Sequence, residues 1–184
     1  MEKTNQPENK PRIILLTKEI SEETLTPLKE KLLQWELEDT EESSNLKEFK
    51  PEPIILHISS YGGEAYSMWS FIDLIESMKT PVHTYNGFSM SAGVPIFLSG
   101  KKRFVTPHTT FMLHSTTSWI IGKAPRIKSD FDEVNRLDTM YINYIAKKTT
   151  IPIDKLKQMI EMQTDWYIGH EEALKYQFAT ERGN

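Results

Sequence analysis

The stretch Ile54–Asn86, "IILHISSYGGEAYSMWSFIDLIESMKTPVHTYN", decides the fold class. "IILHIS" (Ile54–Ser59) is a nearly continuous apolar run, as expected of a strand buried in a parallel sheet. Gly62 and Gly63 then break the strand, since glycine takes backbone angles that other residues avoid. "AYSMWSFIDLIESMK" follows, with Met68, Ile72, Ile75 and Met78 on one helical face. "PVHTYN" is a second strand. Two strands joined through a helix make a crossover unit, which parallel strands require and antiparallel ones do not. The fold class read from this stretch is α/β with mostly parallel strands.

The same alternation extends outward. "RIILLT" (Arg12–Thr17) reads as a strand. "SEETLTPLKEKLLQWELED" reads as a helix, with Leu25, Leu28, Leu32 and Trp35 recurring at helical spacing and Ser21 as its N-cap. The third residue after Ser21 is Thr24, neither acid nor Gln, so no capping box is expected. "DTEESSNLKEFKPEP" (Asp39–Pro53) reads as an exposed loop. Beyond Asn86, Gly87–Gly100 reads as a turn and helix, and "KRFVTP" and "TTFMLHS" as two strands. "WIIGKAPRIK" is an irregular arm. "SDFDEVNRLDTMYINYIAKK" is a long amphipathic helix with Phe131, Val134, Leu137, Tyr141 and Ile145 in register. "IPIDKLKQMIEM" is a shorter helix, and "HEEALKYQFAT" closes the chain with a helix and turn. Residues 1–11 are polar and expected to be flexible, leaving 12–184 as one domain.

Composition narrows the function classes. The chain has 184 residues and a formal charge of −4, which gives no basic stripe for nucleic acid. It has no cysteine, so disulfides, thiolate chemistry and Cys-based zinc sites are excluded, and no metal site is expected. "MEKTNQPENKPR" has no apolar core of a secretory signal, and no apolar run approaches membrane-spanning length. The expectation is a cytoplasmic protein with neither membrane nor nucleic-acid partner.

One constellation carries chemistry. Gly62-Gly63, between a strand and a helix, is either a plain tight turn or a place where a backbone N–H faces a ligand. Ser89 and Ser91 follow Gly87, but Gly-Phe-Ser-Met-Ser does not match the G-x-S-x-G elbow. Ser91 precedes Ala92 and Gly93, small residues that would let a carbonyl oxygen reach the Ala92 N–H, so Ser91 is the better nucleophile and Ser89 a turn residue. A serine needs a base. His57 and His83 lie inside strands, His108 beside Pro107 in a turn, and His170 at a helix start. His114 ends the run "TTFMLH", at the strand-end position where parallel sheets present functional groups. The acid that orients it could be Asp130, Asp132, Asp138, Asp154 or Asp165. The three on the long helix suit its solvated face, Asp154 suits a helix N-terminus, and Asp165 stands beside Trp166 at a helix exit.

The segment from "ISSYGGEAYS" through "SGKKRFVTPHTTFMLH" resembles the core of the Clp protease proteolytic subunit, the ClpP family of serine peptidases. Ser59–Gly63 resembles the family's Asn-Ser-Pro-Gly-Gly strand end, Gly87–Ser91 its Gly-x-x-x-Ser segment, and Lys102–His114 the run carrying its base. "DWYIGHEEA" resembles the family segment that carries the acid, and the likeness spans roughly residues 12–180. The resemblance implies Ser91 as nucleophile, His114 as base, Asp165 as orienter, and the backbone N–H groups of Gly63 and Ala92 as oxyanion donors. It implies a crotonase-like βαβ superhelix with a protruding handle helix, here "SDFDEVNRLDTMYINYIAKK". It implies heptameric rings stacked as a tetradecamer, and hydrolysis of unfolded polypeptides in a chamber fed by an AAA+ Clp unfoldase. That partner would use ATP; no cofactor is implied for this chain. Departures from the family pattern include Tyr61 for Pro, Ser59 for Asn, Ala92 for Met, and Thr164 where the family has Arg. The alternatives are a catalytically silent ring subunit and an acyl-CoA enzyme on the crotonase fold, whose two N–H groups would hold a thioester enolate. A Ser-Lys signal-peptide peptidase relative would want a membrane anchor.

Overall fold

The computed structural model describes residues 11–46 and 49–182, with the side chains of residues 181 and 182 left aside. The flexible segment expected at the N-terminus lies, apart from Pro11, outside the described residues. The elements in chain order are β1 (Ile13–Leu16), α1 (Glu22–Asn45), β2 (Ile54–Ser60), α2 (Ala65–Ser77), β3 (Val82–Met90) and α3 (Gly93–Leu98). There follow β4 (Arg103–Leu113), α4 (Ala124–Lys148), α5 (Ile153–Met162), β5 (Trp166–Gly169), α6 (His170–Lys175) and β6 (Glu181–Arg182). The sheet runs β1-β2-β3-β4-β5, with β6 also on β4. β1 through β4 are mutually parallel and β5 is antiparallel to β4. The α/β reading of Ile54–Asn86 therefore holds: β2, α2 and β3 form the crossover unit.

The sheet is covered on one face only, which corrects the reading of "IILHIS" as buried on both sides. Ile54, Leu56 and Ile58 are buried, while His57 between them is exposed. Met68, Phe71, Ile72 and Ile75 of α2 pack in the same core as Ile14 and Leu16 of β1 and the whole apolar run of α3. Burying one such large side chain contributes about 1.5–3 kcal/mol, so this layer dominates the stability. On the open face, His57 stacks on Tyr85 with ring centroids 5.0 Å apart, and Tyr85 on Phe104 at 4.3 Å.

Three local expectations change. Ser21 does close a capping box: its Oγ accepts the Thr24 N–H at 3.2 Å, and Thr24 Oγ1 accepts the Ser21 N–H at 3.0 Å. The Thr hydroxyl stands in for the usual Glu carboxylate. The helix also runs on to Asn45, through much of the expected loop. The reason is Asp39, which is buried and accepts from Arg12 Nη1 at 2.6 Å and Thr80 Oγ1 at 2.6 Å. Lastly, "KRFVTP" and "TTFMLHS" belong to one strand. Asn86 pairs with Val105 and Phe88 with Thr110, so the residues around Pro107 and His108 bulge from the ladder where Pro lacks a donor.

The long helix α4 starts at Ala124, inside the expected irregular arm. Its apolar register divides in two. Leu137, Tyr141 and Ile145 are buried within the subunit, and Val134 is half-buried. Phe131 remains 57% exposed, and Ile127 on the same helix and Trp119 and Ile121 just before it in sequence are exposed too. Among the described residues no helix is long and apolar enough to cross a membrane.

Candidate active site

β3 and β4 lie side by side, and each ends in one member of the expected pair. Met90 pairs with Met112, and the Ser91 N–H donates to Met112 O at 2.8 Å. Ser91 has φ 51°, a left-handed conformation unusual for a residue with a Cβ. Strain of this sort costs on the order of 1–3 kcal/mol and collects at functional sites. Ser91 thus sits on a sharp turn ahead of α3, with Ala92 as N-cap, rather than inside the helix. Gly62 permits that turn: at φ +102° it brings its backbone so close that a Cβ there would stand 2.8 Å from Ser91 Cβ.

His114 follows the last residue of β4, and its Nε2 lies 2.7 Å from Ser91 Oγ. With imidazole neutral and Nε2 as acceptor, this bond aligns the hydroxyl proton for transfer. Both side chains line a cleft of about 640 Å³, in the range of substrate sites. Gly63 and Ala92 line it too. Gly63 forms a parallel bridge with Ile20 in which the neighbours do the bonding: Ile20 N–H donates to Gly62 O, and Glu64 N–H to Ile20 O. The Gly63 N–H takes no part in that bridge. Ser91 N–H and Val94 N–H are likewise engaged by Met112 O and Ser91 O, and the Ala92 amide between them is not part of either bond.

Asp165 is placed differently. Leu113 and Trp166 form the last pair of the antiparallel β4–β5 ladder; His114 follows it and Asp165 precedes it, each just outside the paired residues. The Asp165 side chain is nevertheless exposed, and among the described residues no hydrogen bond joins it to His114. The other candidates fall elsewhere. Ser89 is fully buried and donates to Asn86 Oδ1, whose Nδ2 donates to Thr109 Oγ1 at 2.6 Å, so it belongs to the sheet interior and not to the turn. His57 and His108 are exposed, and His170 Nδ1 donates to Thr106 O at 2.9 Å. Among the described residues no cluster suited to a metal ion occurs.

Two residues of α4 belong to the site although their sequence context spoke for a solvated face and a packing stripe. Asp138, 8% exposed, accepts the Thr116 N–H at 2.7 Å. The Tyr141 hydroxyl donates to Ser91 O at 3.3 Å. Burial, with the Asp138 charge, pushes the Tyr141 phenol well above its usual range, so it remains a neutral donor. The legible signal was the spacing Asp138, Tyr141, Ile142, Ile145, an apolar helical stripe whose first place is an acid. The cleft wall also holds Glu133, which accepts from Arg136 and Tyr66, each at 2.7 Å. Arg136 first, then Tyr66, holds its carboxyl down at about 2.

Comparison with known proteins bears on the family and the fold. The family model described as Clp protease matches residues 4–181. The ATP-dependent Clp protease proteolytic subunit of Deinococcus radiodurans is 30% identical over 128 residues, 68% of this chain and 62% of that protein. Proteolytic subunit 2 of Treponema pallidum is likewise 30% identical over 128 residues, covering 68% of this chain and 63% of that one. The aligned part thus spans less than two thirds of either relative. Proteolytic subunit 2 of Thermobifida fusca is 26% identical over 183 residues, 98% of this chain and 84% of the relative. Among solved structures, a point mutant of ClpP1 from Listeria monocytogenes superposes with a TM-score of 0.77 at 24% identity, covering 94% of this chain and 91% of its own. That likeness establishes a ClpP-like fold, with α4 in the place of the handle helix. With a family model matching almost its whole length, the chain belongs to the Clp protease family.

Proposed function

We propose that this chain is a serine endopeptidase. The observation that carries the reading is the 2.7 Å contact between Ser91 Oγ and His114 Nε2 at the floor of a cleft. Ser91 Oγ attacks the scissile carbonyl as His114 Nε2 takes its proton. The carbonyl oxygen becomes an oxyanion held by the N–H groups of Gly63 and Ala92, each such donor being worth roughly 10²–10³ in rate. His114 then protonates the leaving amine, the C–N bond breaks, and water repeats the cycle on the acyl-enzyme. Asp165, next to the last β4–β5 pair, orients His114 by turning its exposed side chain toward Nδ1. The chain needs no cofactor of its own for this chemistry.

The family further supports a ring assembly, here heptamers stacked in pairs, in which unfolded polypeptide reaches enclosed sites in the cytoplasm. A Clp unfoldase would supply such substrate at the expense of ATP. The exposed apolar residues Phe131, Ile127, Trp119 and Ile121 near the start of α4 suit the ring–ring contact.

The test is a fluorophosphonate probe followed by peptide mapping. Labelling of Ser91, lost in Ser91→Ala and slowed in His114→Ala, is the expected result, with small-peptide hydrolysis lost on the order of 10⁴-fold in Ser91→Ala. An unlabelled wild-type assembly would instead identify a silent ring subunit.

A further inference from the structure

The strand ladder holds the site only up to Met90 and Leu113, the last residues of β3 and β4. His114 lies beyond it, and Ser115–Ser118 have no regular structure. Something else must fix the base. The first anchor after His114 is the Thr116 N–H, which donates to Asp138 Oδ1 at 2.7 Å. A carboxylate as buried as Asp138 is costly unless hydrogen-bonded, and a charged acceptor makes a bond about twice as strong as a neutral one. Near one helical turn further along α4, Tyr141 reaches Ser91 O at 3.3 Å. One face of α4 therefore holds both the turn that carries the nucleophile and the segment that carries the base.

We propose that Asp138 is a positioning residue, which fixes the His114 segment against Ser91 through the Thr116 N–H, with Tyr141 securing the Ser91 turn. This deepens the peptidase reading and rests on it. The bond acts on geometry: imidazole displacement on the order of 1 Å costs about 10²-fold in rate. Asp138 does not itself line the cleft, so its replacement should act on kcat more than on KM.

The experiment compares Asp138→Asn, which keeps an acceptor oxygen, with Asp138→Leu, which keeps the branched shape and has no acceptor. Thr116→Pro removes the donor without touching α4. Each is measured for kcat and KM on a small fluorogenic peptide, for fluorophosphonate labelling rate, for hydrogen exchange of residues 113–118, and for native mass. Asp138→Asn should stay close to wild type. Asp138→Leu and Thr116→Pro should lose about ten- to a hundredfold in kcat, with faster exchange across 113–118 and an unchanged mass, and Asp138→Leu should change KM little. Wild-type kcat and exchange in Asp138→Leu would overturn the proposal. So would an Asn variant as impaired as the Leu variant, since the acceptor would then not be what matters. If wild type itself fails to label, the peptidase reading falls, whereas the exchange comparison still decides whether Asp138 holds the segment.

Discussion

Gly62→Ala is the sharpest test of how the nucleophile is presented. Gly62 has φ +102°, outside the range that L side chains readily adopt. An added Cβ would lie 2.8 Å from Met90 O, 2.8 Å from Ser91 Cβ and 3.1 Å from Ala92 N. None of these is the far end of a flexible side chain. Two are main-chain atoms of the turn, and the third is the carbon that carries the nucleophilic oxygen. The backbone strain costs about 1–3 kcal/mol. The overlap adds about 1–3 kcal/mol more. For a chain of this size, each kcal/mol lowers Tm by roughly 2–4 °C, so a drop on the order of 10 °C is expected. Relief of the overlap must move Ser91, so labelling by a fluorophosphonate should slow by about 10²-fold even where the protein is folded. Gly169→Ala is the matched control: its Cβ would meet nothing within 4 Å. Thermal unfolding and labelling rates on both variants give the comparison. If Gly62→Ala matched Gly169→Ala in both, the tight Gly62–Ser91 packing would not be what shapes the elbow.

Ser89→Ala should leave Asn86 Oδ1 short of a buried donor, lowering stability by about 1–3 kcal/mol in denaturant unfolding while Ser91 still labels. Arg12→Met removes one of two donors to Asp39, whose Oδ1 already has no partner, and should cost about 1–3 kcal/mol by the same measurement. Phe131→Asp and Ile127→Asp should split an assembly seen by sedimentation velocity without lowering the subunit's own Tm, because both side chains are exposed. Leu137→Asp, by contrast, should unfold the subunit, since that side chain is buried. With Thr164 in place of the family's Arg, moderate salt should change the assembly little, sedimentation at low and high salt being the check. The Glu133 carboxyl is held at about 2, below its ordinary value, so its pairing with Arg136 is intact above the ordinary value and fades only as pH falls toward 2. A carbon-detected NMR titration showing protonation of Glu133 near pH 4.5 would contradict this.

Some of this molecule was determined by sequence alone, and the determined parts share a cause. Periodicity and glycine placement are local properties, so the β2–α2–β3 crossover and the strand-end position of His114 could be read directly from residue order, whereas the turn expected from Gly87 begins only at Ser91 because β3 runs on to Met90. Other features depend on what a residue meets across the fold. "IILHIS" reads as doubly buried because Ile55 is apolar, yet the helices cover one face and His57 points the other way. Asp39 reads as loop until Arg12, just before β1, and Thr80, between α2 and β3, arrive to donate to its Oδ2. "TTFMLHS" reads as a new strand because Pro107 breaks the pattern, while pairing to β3 resumes beyond the bulge. Phe131, Tyr141 and Ile145 read as one apolar helical stripe, but the subunit's own core buries only Tyr141 and Ile145 and leaves Phe131 exposed. Asp138 reads as a solvated helix acid, and only the approach of the His114 segment gives it a backbone amide to hold. A buried polar group is defined by its partner, and the partners here lie far off in sequence, where tertiary packing alone brings them together.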